Sequence, residues 1–191
     1  MTVEIDEVVR TERLELVLMS VSLMEALQRR DLEAANKELG ADVPAWLADD
    51  MQDFFEYRLG QLREDPSVHN WLGRVMVLKE DDGSRHVVGS IGFHGAPDEE
   101  GRLEIGYRVD PDYRNRGFAR ESATAMYRWA HDKHGISTFL GSISPDNIPS
   151  LNLVEEYGYV LIGEQIDEID GLELVFEMHW PPPWAASDNV S

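Results

Sequence analysis

The chain has 191 residues, 42% hydrophobic and 28% charged, enough for one compact domain with a real core and marginal for two. Its 37 Asp and Glu outnumber 17 Lys and Arg to give a net charge of −20, which argues against a nucleic-acid partner, because phosphate binding relies on clustered cations. Cysteine is absent, which excludes disulfides, thiolate metal sites and a cysteine nucleophile.

No run of about 18 apolar residues occurs, so no membrane span and no membrane partner is expected. The opening MTVEIDEVV is acidic where a secretory signal would carry Lys or Arg, so a cytoplasmic protein is expected. The acidic excess serves solubility, or draws in a cationic ligand.

TERLELVLM (11–19) alternates Leu14, Leu16 and Leu18 and reads as a first strand. Ser22 and Glu25 have capping-box spacing and open a helix to about Leu39. A second helix is expected from about Pro44 to Arg63. HNWLGRVMVLKE and SRHVVGSIGFHG flank DDGS and predict a hairpin. Another strand spans 101–110, and Gly106 within it suggests a bulge. Ala119, Ala123, Met126 and Ala130 recur at helical spacing, so 117–134 is a helix that Gly135 stops. A strand at 137–144 follows, then a loop and short helix ending at Gly158. Two final strands, 159–169 and 172–180, meet at Asp170-Gly171. The order is β-α-α-β-β-β-α-β-α-β-β: an α+β (mixed α/β) fold, its mostly antiparallel sheet covered by helices on both faces. The crossover through helix 117–134 predicts one right-handed parallel pair. Residues 1–180 read as a single domain, and the proline-rich 181–191 as a tail.

DPDYRNRGFARESA (110–123) sets Arg114, Arg116 and Arg120 around Gly117 where a strand gives way to a helix. The first amides of a helix lack partners and carry partial positive charge, so a phosphate fits there. Neither a Walker A loop nor a G-x-G-x-x-G dinucleotide fingerprint is present.

Residues 103–164, LEIGYRVDPDYRNRGFARESATAMYRWAHDKHGISTFLGSISPDNIPSLNLVEEYGYVLIGE, resemble the acetyl-CoA-binding half of the GNAT acetyltransferase superfamily. The similarity is greatest to the branch of ribosomal-protein N-terminal acetyltransferases (RimJ/RimL type), whose Thr-x-Arg-Leu opening is matched near residue 11. The resemblance covers about 11–180 and is strongest from 103 to 159. Arg114, Gly117 and Ala119 match the family's Gln/Arg-x-x-Gly-x-Gly/Ala loop. Asn147, Ser150, Gly158 and Tyr159 match a second element, Asn-x-x-Ser with a helix ending in Gly-Phe/Tyr.

The resemblance implies a GNAT-like fold in which the parallel strand pair splays. It implies acetyl-CoA as co-substrate, held by the backbone amides of Arg114, Asn115, Arg116, Gly117, Phe118 and Ala119 at its pyrophosphate. Val109 and Asn147 would hold the pantetheine arm, and Asn147 could equally be a helix cap. Acetyl transfer needs a neutral amine. A lysine-like amine is less than about one part in a thousand neutral at pH 7, an α-amine roughly a tenth or more. A carboxylate can take the proton, and Glu104 is the candidate base, with an exposed residue paired to Arg108 as the alternative. Many family members place a Tyr where this chain has Val154, so Ser150 is the candidate donor or water relay at the leaving thiolate.

The acceptor is read as a small-molecule amine or a protein N-terminus, attacked directly in a ternary complex, and segment 22–63, with Phe54 and Phe55, as the part that selects it. The oligomeric state is read as monomer or homodimer. His131 and His134 could bind metal but suit the helix C-terminus better, and no metal is expected. The different-class alternative is a catalytically silent acyl-CoA-binding or regulatory module.

Overall fold

Alternation settles the first strands. In the computed structural model, which describes residues 8–167 and 171–182, β2 (Leu14–Leu18) buries Leu14, Leu16 and Leu18. A short β1 (Val8–Arg10), which the sequence reading did not anticipate, pairs antiparallel with it, Val8 opposite Val17. β3 (Arg74–Lys79) and β4 (Arg85–Phe93) follow, then β5 (Arg102–Val109), β6 (Thr138–Ile143), β7 (Val160–Asp167) and β8 (Gly171–His179). Hydrogen-bonded neighbours run β1-β2-β3-β4-β5-β6-β8-β7. The pair β5–β6 is parallel, as expected, whereas β1–β2, β2–β3, β3–β4, β6–β8 and β7–β8 are antiparallel. Asp170 of the expected final turn, residues 1–7 and tail residues 183–191 lie outside the described residues.

The helical segment differs from the sequence expectation at its joints. Ser20, not Ser22, caps α1 (Val21–Gln28), its hydroxyl accepting from the Leu23 N–H at 3.0 Å. The expected continuous helix breaks at Arg30, which adopts φ 58°, and the Asp31 carboxylate then caps α2 (Leu32–Leu39) by accepting from the Ala34 N–H. An aspartate that can satisfy orphan amides competes with helix continuation, and here it wins. The second expected helix is likewise two, α3 (Ala45–Asp49) and α4 (Gln52–Glu64), separated by Asp50 and Met51. α5 (Phe118–His134) and α6 (Ile148–Tyr157) match their expected spans.

The described residues fall into two compact units, one of residues up to 95 together with 107–126, the other of 96–106 together with residues from 127 onward. The first has a core of α1–α4 side chains, among them Leu23, Leu27, Leu47, Phe55 and Leu59, packed with Val75, Val77 and Val87 of the sheet. Phe55 is wholly buried there, which corrects its reading as an acceptor-facing residue. The second unit centres on Tyr127, whose ring lies 4.6 Å from Phe139, 5.3 Å from Tyr157 and 5.6 Å from Trp180.

A carboxylate ties the entry of β2 to the first turn of α5. Glu121 accepts from the Thr11 hydroxyl and from the Arg13 N–H at 2.8 Å, while Arg13 Nε and Nη2 close on its other oxygen at 2.7 and 2.6 Å. Burial alone would push this carboxyl up. The Thr11 and Arg13 donors outweigh it and hold the group below the ordinary carboxylate range.

Two substitutions test the packing. A Cβ at Gly92 would lie 2.7 Å from the Gly73 Cα and 2.8 Å from the Leu72 carbonyl oxygen, both backbone atoms that cannot swing away. Gly92→Ala should therefore cost about 1–3 kcal/mol in denaturant unfolding. Gly60, inside α4 with nothing within 4 Å of an added Cβ, should gain up to about 1 kcal/mol as alanine.

Glu121→Gln should cost about 1–3 kcal/mol at pH 7. Because the folded-state pKa is depressed, the stabilisation is present above the unfolded value, about 4.3, and is lost as pH falls through the folded one. Thermal midpoints of wild type and Glu121→Gln should begin to converge once pH falls below the unfolded value, and meet below the folded one. A gap constant with pH would disprove the ionic contribution.

Candidate active site

The loop between β5 and α5 is built by its own side chains. Asp110 is nearly buried. Its N–H donates to the Val88 carbonyl at 2.9 Å, its carboxylate accepts from the Asp112 N–H at 2.9 Å, and the Trp46 indole N–H donates to its other oxygen. These bonds fix a 3-10 turn, Pro111–Tyr113, that lifts the chain off the strand. Arg114 is extended. Asn115 and Gly117 then take left-handed values, φ 60° and φ 80°. Left-handed residues so placed turn successive amides toward a common side, the geometry that cradles anions.

The first helical bond of α5 runs from the Glu121 N–H to the Gly117 carbonyl at 3.0 Å. The amides of Phe118, Ala119 and Arg120 precede it and have no acceptor four residues back inside the helix. Gly117 is exposed, and a Cβ there would meet only Arg13 Nη2, at 3.5 Å.

The expected cationic cluster is real in position but partly committed. Arg114 Nε donates to the Val109 carbonyl at 3.2 Å, and Arg116 Nη2 to the Asp112 carbonyl at 3.0 Å while stacking on Tyr113. Arg13 stands beside them, its guanidinium 4.6 Å from the Phe118 ring centroid. Sequence reasoning passed over Arg13 except as part of an opening motif, because its partner Glu121 is 108 residues away.

In the second unit, Asn147 caps α6, its side-chain oxygen accepting from the Ser150 N–H at 3.3 Å. The structure thus brings Asn147 and Ser150 together, and brings Val109 to Arg114. Asn147 Oδ1 is spent on the helix, and its amide N–H groups donate to no protein atom among the described residues. Glu104 is half-buried on β5, opposite Leu140 in the parallel pairing with β6, which runs Arg102↔Thr138, Leu103↔Phe139, Glu104↔Leu140. Arg108 does not serve it. That guanidinium pairs with Asp50 at 2.7 Å and lies over Trp46.

Val154 is buried, and Tyr157 is core. His131 is engaged at the end of α5, its Nδ1 lying 3.1 Å from the Ile136 carbonyl and 3.2 Å from the Ser137 hydroxyl. Among the described residues no cluster of three or more metal-ligating side chains occurs, and no helix is long and apolar enough to cross a membrane.

Comparison with known proteins places this arrangement. A family model described as an acetyltransferase (GNAT) domain matches residues 13–160. The uncharacterized N-acetyltransferase YjdG of Bacillus subtilis (strain 168) is 28% identical over 152 residues, 79% of this chain and 88% of that protein. The Microcin C7 self immunity acetyltransferase MccE, solved in complex with acetyl-CoA and AMP, superposes with a TM-score of 0.60 at 15% identity, over 88% of this chain and 93% of that one. An acetyltransferase from Salmonella typhimurium that modifies the N-terminal serine of ribosomal protein L7/L12 superposes with a TM-score of 0.60 at 16% identity, over 91% and 99%. That match spans the strand, the loop and the helix that follows it, and the chain belongs to the GNAT acetyltransferases.

Proposed function

We propose that this protein is an N-acetyltransferase that moves an acetyl group from acetyl-CoA to a primary amine by direct attack. The observation that carries the reading is the pair of left-handed residues, Asn115 and Gly117, opening onto the amides of Phe118 and Ala119, which precede the first helical bond of α5. The residues fit a pyrophosphate. The amides supply donors, Gly117 supplies close approach, and Arg114, Arg116 and Arg120 supply charge in an otherwise acidic chain. The Val109 backbone and the free amide N–H groups of Asn147 would hold the pantetheine arm, as they hold it in the resembling family. We take residues 1–180 as one catalytic domain, since the family match runs through both compact units.

Acetyl-CoA supplies a thioester, an acyl group already activated toward amines. The acceptor nitrogen forms a bond to the acyl carbon, the carbon–sulfur bond breaks, and the nitrogen sheds a proton. In our reading Glu104 accepts that proton, directly or through water, and Ser150 donates a hydrogen bond to the departing thiolate. A thiolate whose acid has a pKa of about 8.5 needs a donor more than a strong acid. Val154 removes the tyrosine alternative, so the lighter hydroxyl carries this role. The chain resembles the RimJ/RimL-type branch, which favours an α-amine as acceptor.

Thiol release from acetyl-CoA over a panel of amines and N-terminal peptides tests the reading. Saturable binding without turnover on any acceptor would instead identify an acyl-CoA-binding module. Gly117→Val forces a β-branched residue to φ 80° and should weaken acetyl-CoA binding about tenfold or more, by calorimetry. Glu104→Gln should lower kcat/KM about 10²-fold at neutral pH, with the deficit shrinking as pH rises and the amine deprotonates unaided. A wild-type pH profile would remove Glu104 as base.

A further inference from the structure

One edge of the sheet is left bare. β7 pairs with β8 and, among the described residues, with no other strand, so along its outer side alternate N–H and C=O groups have no ladder partner. A strand packed on one face buries every second side chain. β7 buries none, and all of its residues but Asp167 are exposed. Val160, Leu161, Ile162 and Ile166 are 64%, 55%, 51% and 76% exposed, and Leu172 of β8, opposite Ile166, is 42% exposed. Ile162 is the extra residue of a bulge, since Leu161 pairs with Phe176 and Gly163 with Val175.

Edges of this kind are ordinarily blunted by lysine, by proline or by a covering element. β7 contains no Lys, Arg or Pro, and its bulge carries an isoleucine. A contiguous run of exposed apolar residues marks an interaction surface, and the charge around it says of what kind. After Lys133 the sequence holds ten Asp and Glu and no Lys or Arg. Glu164 is exposed on β7, and among the described residues its carboxylate has no ion-pair partner. Glu173 of β8 accepts from the neutral Gln165 amide at 3.0 Å. Only toward the far end of β8 does a cation arrive, where Arg102 lies 3.6 Å and His179 3.7 Å from Glu177. Paired residues share a face, so Leu161 and Ile166 stand with Phe176 and Leu172 on one face, and Gln165 with Glu173 on the other.

We propose that the outer edge of β7 docks an extended, basic segment of a partner polypeptide, which adds as a further strand and alternates apolar residues with Lys or Arg. Strand addition draws affinity from main-chain bonds and specificity from alternate side chains. The apolar residues meet Leu161 and Ile166, and the cations meet Glu164 and Glu173. A second copy of this chain suits the apolar residues but not the charge. It would lay its own cation-free edge against this one, and like charges across a strand pair are destabilising. A basic segment instead neutralises the edge and is drawn in by the field of a chain with net charge −20. The surface lies wholly on β7 and β8 and stands independently of the transferase reading.

The test uses synthetic peptides of about ten residues in which Lys or Arg alternates with Val, Leu or Ile, long enough to span β7, titrated into the full chain by calorimetry. At least one should bind about tenfold tighter, or more, than its counterpart with Glu in place of the cations, and should weaken as salt is raised. N-methylating one alternate set of its amides should cost about tenfold or more and the other set little, because a strand added at an edge bonds through one side only. Ile166→Lys and Glu164→Lys should each weaken binding about tenfold or more, while the thermal midpoint and the affinity for acetyl-CoA stay as in wild type. Glu164→Lys exchanges one exposed polar group for another, so it decides alone if Ile166→Lys lowers the midpoint.

No saturable binding of any basic peptide would overturn the proposal, as would equal binding of the acidic counterparts. Equal losses from the two methylated sets would reduce the contact to adsorption by charge and remove the added strand. Binding that Glu164→Lys leaves intact would place the peptide elsewhere on the chain. A concentration-dependent dimer that Ile166→Lys dissolves would give the edge to a second copy. Binding that emerges only once residues 183–191 are removed would give it to the chain's own tail. Either result displaces the basic partner.

Discussion

A carboxylate on the first turn of α5 holds the beginning of the chain to its middle. Glu121 gathers the Thr11 hydroxyl, the Arg13 N–H and the Arg13 guanidinium, and so joins residues more than 100 positions apart. Charge-assisted hydrogen bonds of this kind resist solvent better than a lone surface ion pair, because several donors share one acceptor. The bond also decides how the active-site loop is framed. With Arg13 drawn to Glu121, its guanidinium comes to lie over Phe118 and beside the place that a Cβ at Gly117 would take. The strand entry thereby becomes a wall of the loop whose amides open α5.

What the sequence made legible was local. Alternation at Leu14, Leu16 and Leu18, the Asp-Gly turn, the Asn147–Ser150 cap and the glycine after α6 each involve residues within a few positions, and each has its own physical signature. The misreadings share a cause too. Ser20 and Ser22 both offer capping oxygens, and spacing to Glu25 favoured the wrong one; Ser22 instead joins Glu38 of α2. The break at Arg30 needed a positive φ at a residue that rarely adopts one. Phe55 and Phe54 are adjacent and alike in composition, yet one is wholly buried while the ring of the other would crowd a Cβ at Gly73. Helical periodicity cannot separate them once the helix is misjudged in length.

Long-range pairing was illegible for a different reason. Nothing near Arg58 of α4 in sequence marks it as a buried guanidinium bonded to neutral acceptors, Gln61 Oε1 and the His94 carbonyl, since Glu56 lies two residues before it and Glu64 six after. Its burial follows from how α4 meets the end of β4, where the His94 carbonyl takes two donors. Charge composition alone left two readings open, solubility and attraction of a cationic ligand. The distribution of that charge adds a second element, an interior cation among neutral acceptors, which composition could not show. Family resemblance fared differently, because the loop at 114–119 is contiguous and its glycine spacing is fixed by the turn that it makes.

Gly117 carries a consequence of another kind. An added Cβ there has room, and only the handedness of the backbone excludes it. A cavity sorts substitutions by volume; a left-handed turn sorts them by chirality. Residues at this position should therefore rank by tolerance of the mirror-image region, asparagine and aspartate first, alanine next and valine last, whatever their size. The loop is selective about stereochemistry where most of a protein's interior is selective about shape.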